Sequence, residues 1–115
     1  QTCALPISAD GVLQVTEAQR MQAVALCQQS AQHAALACMD AFANTDFRED
    51  LKKVSVPTLV IHGRADAIVP LEGSGYRTHR AVPHSQWVPL DGAPHGMNLS
   101  HAGPFNEALL SFLRT

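Results

Sequence analysis

The chain has 115 residues, 46% apolar and 16% charged, the composition of one small globular domain. Its net charge is −2, its pI is near 6.3, and only Lys52 and Lys53 adjoin among the eight Lys and Arg. We therefore expect neither nucleic acid nor a membrane as partner: there is no basic patch, no apolar run of spanning length, and no basic segment leading into an apolar core.

The chain opens with QTCALPI, which is identical to one translated reading frame of a widely used sequencing-adapter oligonucleotide. Residues 1–8 are accordingly expected to be foreign to the protein, with the upstream coding sequence lost. On that reading the stretch packs on nothing and Cys3 is incidental. Residues 8–15 follow as a connection, with Asp10-Gly11 as a turn signal. Thr16 and Gln19 have the spacing of a capping box, which predicts a helix over about residues 17–29. Ser30 has the chemistry of a second N-cap. Beyond it Ala35, Cys38, Met39 and Phe42 recur at i, i+3, i+4 and i+7, on one face of a second helix. Ala-rich helices with such narrow stripes suit a thin layer lying against something larger. Cys27 and Cys38 fall in these helices, where a reduced, buried small hydrophobe is expected. Three widely spaced cysteines form no disulfide framework and point to a reducing, cytoplasmic compartment. With no C-x-x-C and no H-E-x-x-H, zinc is not expected.

Asn44-Thr45-Asp46 ends the helical part, and we divide the remainder into residues 9–45 and 46–115. Pro57 introduces Thr58-Leu59-Val60-Ile61, bounded by Gly63, a pattern for a strand buried on both faces. Residues 63–70 form a loop, and residues 72–82 a helix weakened by Gly73 and Gly75. Residues 86–90 make a second strand, placed at a sheet edge because Pro89 lacks a ladder donor. After a loop over 91–99, Phe105, Ala108, Leu109 and Phe112 mark a terminal amphipathic helix. The alternation is that of an α/β fold with a parallel sheet. Two strands alone leave too little core, so the chain reads as the back end of a larger domain.

In an open α/β sheet, reactive groups gather on the loops past the carboxyl ends of the strands. Asp66, in TLVIHGRADAIVP, and His95, in LDGAPHGMN, occupy those two loops. They are suited to be the acid and base of a catalytic triad, and we expect the Asp66 carboxylate within hydrogen-bond reach of a His95 ring nitrogen. No G-x-S-x-G, the motif that holds a nucleophilic serine on a sharp turn, occurs in the 115 residues. The chain thus carries half a triad.

The strings CMDAFANTDFREDLKKVSVPTLVIHG and DGAPHGMNLSHA make residues 33–115 similar to the cofactor-free haloperoxidase, perhydrolase and arylesterase group of the α/β-hydrolases. Residues 16–43 resemble that group's helical cap. The resemblance implies the C-terminal portion of the fold: two parallel strands with flanking helices, preceded by part of the cap. It implies a serine hydrolase acting on a small ester or carboxylic acid, with no cofactor and no metal. Asp66 matches the family's triad acid and His95 its base. A dehalogenase or C–C hydrolase of the same superfamily is an alternative, as is a non-catalytic domain with a vestigial site.

Other residues have weaker claims. Ile68, Val69 and Met97 flank the two triad positions and are candidates to line an acyl pocket, with core packing as the competing role. Phe42 and Phe47 are candidates to wall the entrance. His62 is expected to bond within its loop and His101 to shape the start of the last helix. Asp91 is expected to cap a turn. His33, His79 and His84 show no partner pattern and are expected to be exposed.

Overall fold

The structure, a computed structural model, describes residues 7–115. It begins with a hairpin in which β1 (Ser8–Ala9) and β2 (Val12–Leu13) pair antiparallel. Asp10 and Gly11 both have positive φ, 52° and 76°, the type I′ geometry whose twist suits a two-residue hairpin. The sequence marks this turn but not its strands, which are too short to show a period. Ile7 is 4% exposed and its carbonyl accepts the Gln14 N–H, so the expectation that the adapter-like stretch packs on nothing does not hold at that residue. The rest of that stretch, Cys3 and Leu5 included, lies outside the described residues.

Helix α1 (Glu17–Gln28) starts at the capping box: Thr16 Oγ1 accepts the Gln19 N–H, and Gln19 Oε1 accepts the Thr16 N–H. Helix α2 (Gln32–Asn44) starts one residue later than Ser30 suggests, after Ala31, which makes no side-chain cap. Neither helix has a buried residue. Met39 and Phe42 of the predicted stripe are 64% and 74% exposed, and Cys27 and Cys38 are exposed thiols rather than buried ones. The stripe exists, but no described element covers it. A short helix, α3 (Arg48–Leu51), follows, unmarked in the sequence because four residues carry no helical period.

The rest is one parallel βαβ unit and its continuation. Strand β3 (Leu59–Gly63) pairs in parallel with β4 (Gln86–Leu90), in a register that sets His62 opposite Pro89. Between them a 3₁₀ turn (Leu71–Gly73) leads into α4 (Gly75–Ala81). The single helix expected over 72–82 is split at Ser74, whose φ and ψ of −136° and −90° are non-helical, between the two glycines. After β4 come α5 (Met97–Ser100), inside the expected loop, and α6 (Ala102–Leu113). Phe105, Ala108, Leu109 and Phe112 are the half-buried face of α6, as their spacing predicts. Both α4 and α6 pack on the two strands.

The core sits where α4 meets β4 and where the two post-strand loops touch. Val82 is 1% exposed and Ala93 fully buried, with Pro94 beside it. His79 is held rather than free: its Nδ1 is 2.8 Å from Ser85 Oγ, and its ring stacks on Trp87 at 5.7 Å and 12°. Ser85 donates its own hydroxyl to the Val82 carbonyl, so the His79 nitrogen is the donor to Ser85. His84 bonds the Val56 carbonyl from an exposed position, and His33 is exposed. Leu59, Val60, Ile61 and His62 are half-buried, not buried on both faces. Strand β3 has one paired edge among the described residues, and a strand is enclosed only when its second edge and both faces are covered.

A tight backbone approach falls at Gly63. A Cβ there would lie 2.1 Å from the Ala93 carbonyl oxygen, which is backbone and cannot swing aside. Gly63→Ala is therefore expected to destabilise the chain by roughly 1–3 kcal/mol, the usual cost of overpacking. Urea denaturation measures it, and a variant as stable as the parent would mean the two loops are not in this contact.

Candidate active site

Asp66 lies three residues past the end of β3 and His95 five past the end of β4. Main-chain bonds fasten these loops together: the Arg64 N–H donates to the Leu90 carbonyl at 2.9 Å, and the Ala65 N–H to the Ala93 carbonyl at 3.0 Å. Gly92, at a φ of 67°, turns the chain between those two acceptors. The strand register is thus carried past the sheet, and the two candidate residues meet. His95 Nδ1 is 2.8 Å from Asp66 Oδ2.

Asp66 is the centre of the site. Its side chain is 4% exposed. Oδ1 accepts the backbone N–H groups of Ile68 at 2.9 Å and Val69 at 2.8 Å, a tight turn closed by its own loop. Oδ2 faces His95 and, at 3.4 Å, Nε2 of His62. Burial pushes the carboxyl pKa up, but the Val69 N–H, the His95 ring and the Ile68 N–H outweigh it and hold the group below its ordinary value. Asp66 is a carboxylate at neutral pH, so His95 Nδ1 must be the donor in their bond. In a neutral ring that leaves Nε2 with the lone pair. The His95 side chain is 43% exposed, and its Nε2 has no hydrogen-bond partner among the described residues. A buried acid, an oriented imidazole and an accessible basic nitrogen can together take up and return a proton at Nε2.

The flanking candidates enter differently from the roles suggested for them. Ile68 and Val69 act on Asp66 through their main-chain N–H groups; the Ile68 side chain is exposed and that of Val69 is half-buried. Met97 is half-buried at the start of α5, just after His95. Asp91 does not cap a turn: its exposed carboxylate pairs with Arg64 Nε at 2.7 Å. His101 sits at the start of α6 without a capping bond, 3.0 Å from Ser100 Oγ through Nδ1.

A hollow of about 280 Å³ lies beside the acid, lined by Arg64, Asp66, Pro70, Leu71 and Glu72. A larger cleft, about 800 Å³, lies elsewhere, between the end of α2, α3 and α4. Phe47 lines that cleft and Phe42 does not; neither Asp66 nor His95 reaches it. The cleft therefore says nothing about where a substrate would meet the two candidate residues.

With this geometry established, comparison with known proteins is direct. Residues 15–115 match the family model described as TAP-like protein, an α/β-hydrolase family. A non-heme chloroperoxidase of Kitasatospora aureofaciens is 41% identical over 78 residues, covering 66% of this chain and 28% of that protein. A bifunctional esterase/perhydrolase of Acinetobacter calcoaceticus is 43% identical over 75 residues, covering 65% and 27%. The chain thus spans little more than a quarter of these relatives' length. Among solved structures, a bromoperoxidase from Bacillus anthracis superposes with a TM-score of 0.95 at 43% identity, over 99% of this chain and 42% of that one. Two parallel strands with their helices are the C-terminal portion of the α/β-hydrolase fold, and the chain belongs to the TAP-like family of α/β-hydrolases.

Proposed function

We propose that this chain is the acid-and-base portion of a serine hydrolase, with Asp66 and His95 as two members of the triad. The observation that carries the proposal is the 2.8 Å bond from His95 Nδ1 to a buried carboxylate, in a side chain that is 43% exposed and whose Nε2 has no hydrogen-bond partner among the described residues. Supporting it, relatives that share this segment are named as esterases, perhydrolases and non-heme chloroperoxidases. The nucleophilic serine and the oxyanion-hole donors come, on this reading, from sequence outside these 115 residues.

His95 Nε2 removes the serine proton as the hydroxyl attacks an acyl carbon, then returns it to the departing alcohol. Asp66 fixes the Nδ1–H tautomer and stabilises the imidazolium as it forms. Water then attacks the acyl-serine and releases a carboxylic acid. Hydrogen peroxide in place of water would release a peracid. The substrates we assign are therefore small esters or short carboxylic acids. Ile68, Val69 and Met97 stay candidates for the acyl pocket, since they border the two residues on both loops. The exposed thiols of Cys27 and Cys38 fit a reducing compartment such as the cytoplasm.

Three measurements test this. In the intact enzyme that contains this chain, His95→Ala should lower kcat on p-nitrophenyl acetate by at least about a thousandfold. Undiminished turnover would refute the role of His95. The 115 residues alone should show no turnover above free imidazole, because the terms that dominate acyl transfer are absent.

The third concerns the charge on Asp66, which must be present to orient the base. A carboxyl whose folded pKa is depressed adds stability above its unfolded pKa, near 3.8, and loses it as pH falls through the lower folded value. The thermal midpoint should therefore drop as pH falls below about 4, and Asp66→Asn should flatten that slope. Equal acid slopes in the two proteins would show that the carboxylate is not held in this way.

A further inference from the structure

Beside the Asp66–His95 pair stands His62, the last residue but one of β3. Its side chain is 12% exposed. Nε2 lies 2.9 Å from the Val69 carbonyl oxygen and 3.4 Å from Asp66 Oδ2. Both are acceptors, so Nε2 carries the proton and shares it unequally, chiefly with Val69. The opposite edge of the ring is closed off by α4. A Cβ on Gly75 would lie 2.4 Å from His62 Nδ1, so the helix comes close to the ring only because that residue is glycine. Gly75 is itself buried.

We infer that His62 is a positioning residue for the acid. It binds the loop that folds around Asp66 back onto the strand that precedes it. Val69 is the hinge of this arrangement: its N–H holds Asp66 Oδ1 while its carbonyl is held by His62. Remove the His62 donor, and the Val69–Pro70 peptide loses the bond that fixes its plane. The Val69 torsions are then free to turn the preceding peptide, whose N–H no longer aims at the carboxylate. The weaker approach to Oδ2 biases the same carboxylate from the side of β3, leaving its remaining lone pair for His95. His62 thus acts on His95 only through Asp66, and it touches no reacting group. Gly75 is the second part of the device, since a methyl there would push the ring off the loop.

This inference rests on the triad reading of Asp66 and His95, and its test separates the two. In the intact enzyme that contains this chain, proton NMR should show a downfield Nδ1–H resonance for His95 that depends on Asp66. It should persist in His62→Gln, whose amide can donate to Val69, and be lost in His62→Phe and in Gly75→Ala. Gly75→Ala keeps every polar group and displaces the ring, so it answers the question even if His62→Phe does not fold. In the intact enzyme, His62→Phe should lower kcat by roughly ten- to a hundredfold with KM unchanged, the scale of a small misplacement of catalytic groups. In an Asp66→Asn background the same substitution should cost nothing further. If the resonance and kcat survive both His62→Phe and Gly75→Ala, or if the loss is equal with and without Asp66, the positioning role is wrong. If Asp66→Asn itself leaves kcat unchanged, the triad reading fails and takes this inference with it.

Discussion

The arrangement depends on one carboxylate. Asp66 takes two main-chain N–H groups on one oxygen and the His95 ring on the other, from a position almost closed to water. A buried charge is tolerable only when hydrogen-bonded and paired, and here the pairing group is the one that would do chemistry. Burial pushes the Asp66 pKa up, and the loop's own N–H donors together with the His95 ring outweigh it. His95 reaches that carboxylate because Gly63 lets the two post-strand loops close on each other. A local turn, a strand register and one glycine therefore converge on the orientation of a single imidazole.

Much of this is legible in the residues. The Thr16–Gln19 box, the parallel strands, the half-buried face of α6 and the meeting of Asp66 with His95 all follow from spacing and periodicity. What escapes has a consistent cause. The hairpin strands and α3 are shorter than any period. Ser74 breaks a helix through its backbone angles, which composition between two glycines hints at without locating. His79 and His62 are held by partners across the fold, Ser85 and Trp87 in one case and a loop carbonyl in the other. Such contacts leave no trace in local sequence. Burial is the property least legible in the residues. The apolar stripes on α1, α2 and β3 are real, but enclosure depends on neighbours, and a chain spanning little more than a quarter of its relatives' length contains few of them.

That imbalance divides the molecule in two. From β3 onward the elements lean on one another, and the candidate site lies wholly within this part. The helices before it expose Met21, Leu26, Leu36, Met39 and Phe42, each at least 60%. The geometry at Asp66 is thus local to the βαβ unit and its loops, and it does not need those helices to be covered.

Trp87 is the sole tryptophan in the chain, and it lies in β4 against Tyr76 and His79 of α4. Its indole is an optical reporter of one joint, where the crossover helix meets the second strand. Emission excited at the red edge of tryptophan absorption will follow the opening of that joint and stay silent while α1 and α2 fray. Circular dichroism, to which those two helices contribute strongly, will follow their loss instead. A gap between the two signals on heating would therefore measure how independently the site-bearing half of this chain holds together.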